Sequence, residues 1–376
     1  MEYLERNLFD EVKKWVDRRE IIAIKGPRQS GKTTLLEMIK DWLVAEKKAN
    51  AEDIVFISFE DRELLEKFST NPKEFVERYA GKKSIYFFID EAHYCEELGQ
   101  KLKLLYDTFR NVKFIISGSS SFELTSQTAK FLVGRMFSFE LFPFNFHEFL
   151  LTKDKKLAQI YFNNNKKIRD FIYNGKNFKL KQDIFINELF KFMSEYLIYG
   201  GYPEVIKSNN IEEKRIILKN IYNTYVEKDI VGYLHLTDTI KFRKLVSLLS
   251  FNIGNLVSYD KLVINCNSYF KEILRFIDVL EQTYVVRMLR PFHKNLVTEL
   301  RKNPKIYFFD LGLRNYAINN FNEIDNRDDS GKLAENFIFN TFKDDNLLVN
   351  FWRTTAKAEV DFVISNLKDI IPIEVK

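Results

Sequence analysis

A nine-residue loop near the N-terminus has the composition and spacing of a phosphate-binding loop. Its two glycines let backbone amides turn toward phosphate oxygens, because no side chain blocks their approach. The helix that follows directs further amide dipoles toward the same charge. We expect Lys32 to reach the β- and γ-phosphates of a nucleoside triphosphate and Thr33 to ligate Mg²⁺. The predicted nucleotide-binding residues, in the pattern G-x-x-x-x-G-K-[ST], are Gly26, Pro27, Arg28, Gln29, Ser30, Gly31, Lys32, Thr33 and Thr34.

Two acids follow an apolar run farther along the chain. Asp90 and Glu91 come directly after Ile85–Ile89, which reads as a buried strand. We expect Asp90 to hold the metal bound by Thr33 and Glu91 to polarise an attacking water. Paired acids at a strand end can also simply cap a following helix, but the upstream loop favours hydrolysis.

Three further residues are candidates for the same site. Ser117 and Ser119 end another apolar run, where a hydroxyl could sense the γ-phosphate; an ordinary serine-rich turn is the alternative. Arg135 could supply positive charge to the transition state, in cis or from a neighbouring subunit. It could equally be an arginine of a structural salt bridge.

The elements that must position these residues alternate between strand and helix patterns. Strands that are apolar throughout are typical of a parallel sheet covered by helices on both faces. We therefore predict an α/β layer structure for the N-terminal region. The predicted strands are Ile21–Lys25, Ile54–Phe59, Ile85–Ile89, Val112–Ser117 and Met136–Leu141.

The middle of the chain changes character. Residues 151–181 are strongly basic, which is most often a solvated helix face or loop and less often a nucleic-acid contact. Residues 183–230 have a helical pattern. Residues 240–294 then give three helices, Phe242–Asn252, Ser258–Asn265 and Ser268–Glu281, followed by an extended stretch, Tyr284–Phe292. That order predicts a winged helix. Its basic excess suits DNA, whereas acids on the third helix leave protein docking open.

A second set of carboxylates lies at the end of the chain. The turn after Ile364 fixes a hairpin register that sets Asp361 opposite Glu374 and Glu359 opposite Lys376. Facing carboxylates repel each other unless a cation lies between them, which predicts a Mg²⁺ or Mn²⁺ site with Lys376 near its water. The alternative is an exposed hairpin with cross-strand ion pairs.

Together the loop, Asp90-Glu91, Ser117–Ser119 and Gly134-Arg135 resemble the AAA+ superfamily of P-loop ATPases. The chain is similar to a family of archaeal and bacterial ATPases in which a winged helix and a restriction-endonuclease-like domain follow the ATPase. The stretches 199–204 and 309–314 match signature segments of that family. The resemblance implies ATP and Mg²⁺ as cofactors, a central strand bearing the phosphate loop, and Arg135 as an arginine-finger candidate.

The same resemblance implies four domains: an ATPase domain at 1–150, a helical lid or linker at 151–235, a winged helix at 236–295, and a nuclease-like domain at 296–376. The last part resembles the PD-(D/E)xK core, with Glu335, Asp361, Glu374 and Lys376 as its candidate site. Because such folds continue beyond this strand, we expect this domain to be truncated or incomplete.

Composition excludes several classes. The chain has 376 residues and a net charge of +5, with neither a transmembrane-length apolar run nor a secretory leader. Two cysteines cannot form a disulfide framework, which indicates a cytoplasmic protein. The expected activity is Mg²⁺-dependent ATP hydrolysis that moves the winged helix and nuclease-like domain, with DNA as partner and a homo-oligomer as one source of Arg135. The alternative is a regulatory nucleotide switch that docks proteins and carries an inactive nuclease-like domain. The four histidines have no metal-binding spacing and receive no role.

Overall fold

The structure is a computed structural model that describes residues 3–81, 83–118, 128–177, 179, 184–231, 239–292, 302–344, 347–354, 356, 358–365 and 369–376. It divides into two compact units, Met1–Pro143 and Phe144–Lys376. No helix in these described ranges is long and apolar enough to cross a membrane.

The first unit contains a five-stranded parallel sheet, which confirms the predicted α/β fold. Its strand order is β2-β3-β4-β1-β5. The expectation of a central position for the strand before the phosphate loop was wrong in detail, because β1 lies between β4 and the edge strand β5. The strands are β1 (Ile21–Lys25), β2 (Ile54–Ser58), β3 (Ile85–Asp90), β4 (Val112–Gly118) and β5 (Met136–Glu140).

Helices cover both faces of this sheet. One apolar cluster joins α2 to one face, and a second joins α3, α4 and α5 to the other face. Because both faces are covered, β3 and β4 are buried almost throughout, as their continuous apolar sequence requires. The helices are α1 (Asn7–Lys13), α2 (Lys32–Ala45), α3 (Arg62–Thr70), α4 (Pro72–Ala80), α5 (Leu98–Thr108) and α6 (Thr128–Phe131).

The second unit begins with helices. The basic segment is mainly one 20-residue helix, α8, whose first turn is capped by the Asp154 carboxylate through the amides of Lys156 and Leu157. The helices are α7 (Phe146–Lys153), α8 (Lys155–Asn174), α9 (Ile186–Tyr199), α10 (Pro203–Lys207) and α11 (Ile211–Ile221), and the π-helical segment Tyr222–Ile230 follows them.

Three helices and a two-stranded antiparallel ribbon come next. The helices are α12 (Thr239–Phe251), α13 (Tyr259–Cys266) and α14 (Phe270–Gln282), each within a few residues of its predicted bounds. The ribbon pairs β6 (Val286–Leu289) with β7 (Lys305–Phe308). The buried side chains of α14, among them Ile273, Phe276 and Leu280, belong to an extensive apolar core of the second unit. The assignment of these elements to a winged helix stays a prediction.

The two stretches that match signature segments pack directly against each other. Asp310 is 5% exposed, and its carboxylate accepts hydrogen bonds from the amides of Gly201 at 2.7 Å and Leu313 at 2.9 Å. Gly200 has a φ of +75°, and a Cβ there would lie 2.3 Å from an Asp310 oxygen. Burial raises the pKa of Asp310 to about 6, against the opposing effect of the amide hydrogen bonds. These stretches therefore form one buried joint between α9 and the segment after β7.

The last described elements are two helices and a three-stranded antiparallel sheet. They comprise α15 (Leu311–Ala317), α16 (Ser330–Asp344), β8 (Val349–Arg353), β9 (Glu359–Ser365) and β10 (Ile370–Ile373). In the β9–β10 hairpin, Ile370 pairs with Ser365 and Ile373 with Phe362. This is the register that the sequence predicts. The paired residues end at Ile373 and Phe362, so the pairing of Asp361 with Glu374 stays a prediction.

Candidate nucleotide-binding site

The first candidate site lies at the edge of the parallel sheet where the strands end. Lys25 at the end of β1 pairs with Gly118 at the end of β4, and Ile89 of β3 pairs with Ile116. The loops after β1, β3 and β4 therefore leave the sheet side by side. This arrangement brings the phosphate-loop sequence and the Asp90-Glu91 pair to one place.

The loop has the backbone that its glycines predict. Gly31 has a φ of +94° and precedes α2, a conformation that favours glycine. A Cβ at Gly26 would lie 2.1 Å from the carbonyl oxygen of Leu141, so no larger residue fits there without moving the backbone. The Ser30 hydroxyl donates to the Pro27 carbonyl at 2.9 Å and closes the loop internally.

Lys32 is buried inside this loop, with 4% of its surface exposed. Its ammonium donates to the carbonyl oxygens of Gly26 at 3.2 Å and Pro27 at 2.9 Å. Burial lowers the pKa of Lys32 to about 8, although Glu91 and Asp90 oppose the shift. The ammonium is thus held by neutral carbonyls, and an anion at the loop would be its stronger partner.

Thr33 and Asp90, the two predicted metal ligands of this site, are in direct contact. The Thr33 hydroxyl donates to Oδ2 of Asp90 at 2.7 Å. The other Asp90 oxygen, Oδ1, accepts a hydrogen bond from the Ser117 hydroxyl. Ser117 Oγ also accepts from the Glu91 amide at 3.2 Å. Ser117 therefore contacts both acidic residues of the site.

Glu91 adopts a left-handed backbone conformation, with φ +50° and ψ +40°. Such a conformation is costly for a residue with a side chain and is concentrated at functional sites. Its carboxylate lies 3.0 Å from Nδ1 of His93. Burial would raise the pKa of Glu91, but the hydrogen bond with His93 and the charge of Lys32 outweigh it, so the pKa is lowered. Glu91 is consequently ionised at neutral pH.

Sequence reasoning missed two contributors. His93 has no metal-binding spacing in the sequence. Its position two residues after Glu91 is the signal that places it near that carboxylate. Arg6 is 8% exposed and donates to the Ser30 carbonyl at 3.0 Å and the Phe142 carbonyl at 2.6 Å. It therefore braces the phosphate loop, and nothing in the sequence near residue 6 indicates this.

One candidate lies away from the site in this chain, and another cannot be placed. Arg135 precedes β5, and its guanidinium pairs with Asp107 at 3.0 and 3.3 Å. Its carbonyl accepts a hydrogen bond from the amide of Ile21 at the start of β1. Arg135 therefore lies at the opposite end of the strand from the phosphate loop. The arrangement does not support a role in cis; a role from a second subunit stays a prediction. Ser119 lies outside the described residues.

The C-terminal carboxylates are only partly brought together. Glu335 and Asp361 lie near the ammonium of Lys305, with N–O distances of 3.8 and 3.9 Å, and Glu359 lies 2.5 Å from it. Glu374 and Lys376 are exposed. Within the part of the chain that the structure describes, no group of three or more His, Cys, Asp or Glu residues is arranged to hold a metal ion.

Three protein-family models match separate parts of the chain. Residues 18–150 match the AAA domain family, residues 191–324 match a domain of unknown function (DUF8612), and residues 330–376 match another (DUF4143). An uncharacterised protein of Haemophilus influenzae is 25% identical over 98% of this chain and 85% of its own length. MJ1544 of Methanocaldococcus jannaschii, also uncharacterised, is 24% identical over 92% of this chain and 72% of its own.

Solved structures resemble the chain only loosely. The ADP form of the Aeropyrum pernix ORC2 protein covers 76% of this chain and 87% of its own, with a TM-score of 0.38 and 10% identity. Domain III of the Thermotoga maritima replication initiation protein DnaA covers 60% and 88%, with a TM-score of 0.33 and 14% identity. These likenesses carry no functional weight. Residues 18–150, which match the AAA domain family, contain the phosphate loop and the Asp90-Glu91 pair described above.

Proposed function

We propose that the chain is a Mg²⁺-dependent ATP hydrolase. The observation that carries this proposal is the contact between the Thr33 hydroxyl and the Asp90 carboxylate at 2.7 Å, beside the buried ammonium of Lys32. A hydroxyl and a carboxylate are hard oxygen ligands, which suit Mg²⁺. A structural glycine turn has no need of a buried lysine or of an acid from another strand.

Each residue of this site has a distinct task. The loop amides and Lys32 bind the phosphate oxygens, and Lys32 exchanges its carbonyl partners for phosphate. Glu91, kept ionised by His93 and Lys32, orients the attacking water and accepts its proton. Ser117 holds the carboxylate of Asp90 and the backbone of Glu91 in place.

The metal fits the residues that are present. Mg²⁺ would be held by Thr33 and Asp90 and, when bound, would neutralise negative charge on the phosphates. The hydrogen bond from Ser117 uses Oδ1 of Asp90, so Oδ2, which contacts Thr33, would be the metal ligand.

A steady-state ATPase assay tests the assignment. Glu91→Gln should keep ATP affinity within about twofold but lower turnover by on the order of 10²–10⁴-fold, because it removes the proton acceptor and little of the phosphate site. His93→Ala is the companion variant and should lower turnover less. Unchanged turnover in Glu91→Gln would remove Glu91 from the mechanism.

We further propose that ATP turnover moves the three-helix and ribbon region and the C-terminal domain, with DNA as the macromolecular partner. Arg290 at the end of β6 and Lys302 before β7 are exposed and line one cleft with Tyr259 and Phe270. Cations beside aromatic rings suit nucleic acid, because phosphates bind the cations and bases stack on the rings.

A second candidate, a nucleotide switch that docks a protein, is favoured by the outer face of α14. Leu274 is 39% exposed and Phe270 is 51% exposed on that helix, and Tyr269 before it is 61% exposed. The helix also carries Glu272 and Asp278, which would repel a phosphate backbone. Exposed apolar residues that are rimmed by polar ones mark protein interaction sites.

Salt-dependent binding separates the two candidates. If DNA is the partner, affinity for a labelled duplex or single strand should fall steeply between 50 and 200 mM salt. The double variant Arg290→Ala/Lys302→Ala should weaken binding and flatten that salt dependence. Leu274→Asp should then matter little. Absence of salt-dependent DNA binding, with very slow turnover and tight nucleotide retention, would favour the switch.

A further inference from the structure

The carboxylates of the C-terminal region surround a buried lysine from the ribbon. Lys305, the first residue of β7, is 1% exposed. Its ammonium lies 2.5 Å from Oε1 of Glu359, 3.8 Å from Oε2 of Glu335 and 3.9 Å from Oδ1 of Asp361. These acids come from α16 and β9, so the ammonium is at the meeting point of a helix and two sheets.

The remaining oxygens of these acids also have partners. The second Glu335 oxygen pairs with Lys332 at 2.6 Å, and the second Glu359 oxygen pairs with Arg353 at 3.1 Å. The second Asp361 oxygen accepts from the Val375 amide at 3.0 Å. Tyr307, two residues after the lysine, donates to Glu335 at 3.2 Å. Three carboxylates thus face three cations, and the cluster is neutral without any further ion.

We propose that Lys305 takes the place of a divalent metal at this cluster. A Mg²⁺ ion needs oxygen ligands at about 2.0–2.1 Å, and here the converging carboxylate oxygens face an ammonium instead. A dication beside that ammonium would be repelled, since charge repulsion is little screened in a buried site. The residues present therefore do not fit the second metal that the sequence predicts.

The position of the remaining candidates agrees with this assignment. Glu374 and Lys376, which the nuclease-like pattern needs beside the metal, are exposed, whereas Glu335 is 7% exposed. The lysine that the acids contact comes from β7, 30 residues before Glu335, the first residue of the nuclease-like pattern. Its ion pairs tie the ribbon to the C-terminal sheet, which is a structural role.

If Lys305 replaces a metal ion, removing its side chain should have a specific consequence. Without Lys305, three converging carboxylates lose the cation between them, and burial makes their repulsion costly. A divalent ion can then relieve it. Removing Lys305 should therefore lower stability and create a metal site that the natural chain lacks.

The test uses the full-length chain without nucleotide and Mn²⁺ as the probe, followed by electron paramagnetic resonance and by the shift in Tm. The natural chain should show no Mn²⁺ binding that depends on Asp361. Lys305→Met should lower Tm and gain about one Mn²⁺ per chain. That gain should disappear in Lys305→Met/Asp361→Asn. Binding that persists in the double variant belongs to another site.

Lys332→Met is the matched control, because it removes a cation from Glu335 at the solvent side and leaves Lys305 in place. It should gain no Mn²⁺ binding. Three results would overturn the proposal: Asp361-dependent Mn²⁺ binding by the natural chain, a folded Lys305→Met chain that binds no Mn²⁺, or an equal gain in Lys332→Met. If Lys305→Met does not fold, Mn²⁺ binding by Lys305→Gln is compared with that of the natural chain. ATP turnover in the same preparations is expected to be unchanged for Lys305→Met, which keeps this question separate from the ATPase assignment.

Discussion

Each of the two units contains a buried lysine beside carboxylates, and the two lysines differ in what they contact. Lys32 donates to two backbone carbonyls of its own loop, with Asp90 and Glu91 only nearby. Lys305 contacts the carboxylate of Glu359 directly and those of Glu335 and Asp361 at longer range. Both side chains are almost fully buried, so burial does not distinguish them.

The difference lies in charge compensation. A carbonyl satisfies an ammonium by hydrogen bonding but leaves its charge unbalanced, so an incoming phosphate is a better partner. An ammonium among carboxylates is already balanced, and it resists both anions and cations. The partners of a buried lysine, more than its burial, therefore indicate whether it is free to bind a ligand.

The largest expected effect follows from removing the unbalanced charge. Lys32→Ala should weaken ATP binding by on the order of 100-fold or more, because it removes charge-assisted hydrogen bonds to phosphate. Turnover should be lost with it. Isothermal titration with ATP and Mg²⁺ measures the affinity.

Lys113 supplies the matched control in the same unit. Its ammonium also donates to three backbone carbonyls, those of Trp15, Arg18 and Glu20, and burial lowers its pKa to about 8. It lies near the start of β4, at the sheet edge opposite the phosphate loop. Lys113→Met should lower Tm and leave ATP affinity within about twofold. Full ATP affinity in Lys32→Ala, or an equal loss in Lys113→Met, would contradict the site.

A smaller effect is expected from pH. Below pH 8 the free protein carries the Lys32 proton, so phosphate binding needs no proton uptake. Above pH 8 the free lysine is neutral, and bound phosphate raises its pKa again, so binding takes up a proton. Affinity should then fall by up to about tenfold per pH unit. Titrations at pH 7 and 9 in buffers of different ionisation enthalpy measure that uptake.

Lys113 titrates in the same range, and Lys113→Met separates the two lysines. If Lys32 is responsible, this variant keeps the natural pH dependence and proton uptake. Loss of the pH dependence in Lys113→Met would assign the pH dependence to Lys113, which lies away from the phosphate loop. The contrast between Lys32 and Lys305 would then be weaker.

Much of the first site could be predicted because its signals are local. The strands end within a residue of their predicted bounds, and a strand–loop–helix order constrains the phosphate loop. Parallel strands bring their ends to one edge, which places Asp90 near Thr33. The β9–β10 register was equally predictable, because a short turn fixes which residues pair.

The second cluster could not be predicted because its central cation comes from far away in the sequence. Lys305 lies 30 residues before Glu335 and 54 before Glu359, and its sequence context gives no sign of burial. Pairing rules placed Asp361 opposite Glu374, but they could not show which face of the hairpin is covered. The burial of Lys305 depends on tertiary packing of β7 against α16 and β9. An ammonium therefore lies beside the acids for which the sequence predicts a metal ion.

The smallest effect concerns how the first site holds its acids. Ser117 is fully buried and touches no phosphate-loop residue in the contacts described, yet it contacts Asp90 and the amide of Glu91. Ser117→Ala removes both hydrogen bonds, each worth on the order of 0.5 kcal/mol or more. It should lower kcat by at least about fivefold and leave KM for ATP almost unchanged. Ser117→Thr keeps the hydroxyl and should recover most of the rate. A rise in KM without a fall in kcat would instead make Ser117 part of nucleotide binding. A positioning role predicts a fall in kcat with little change in KM, because Ser117 holds the acids in place and does not contact the loop that carries Lys32.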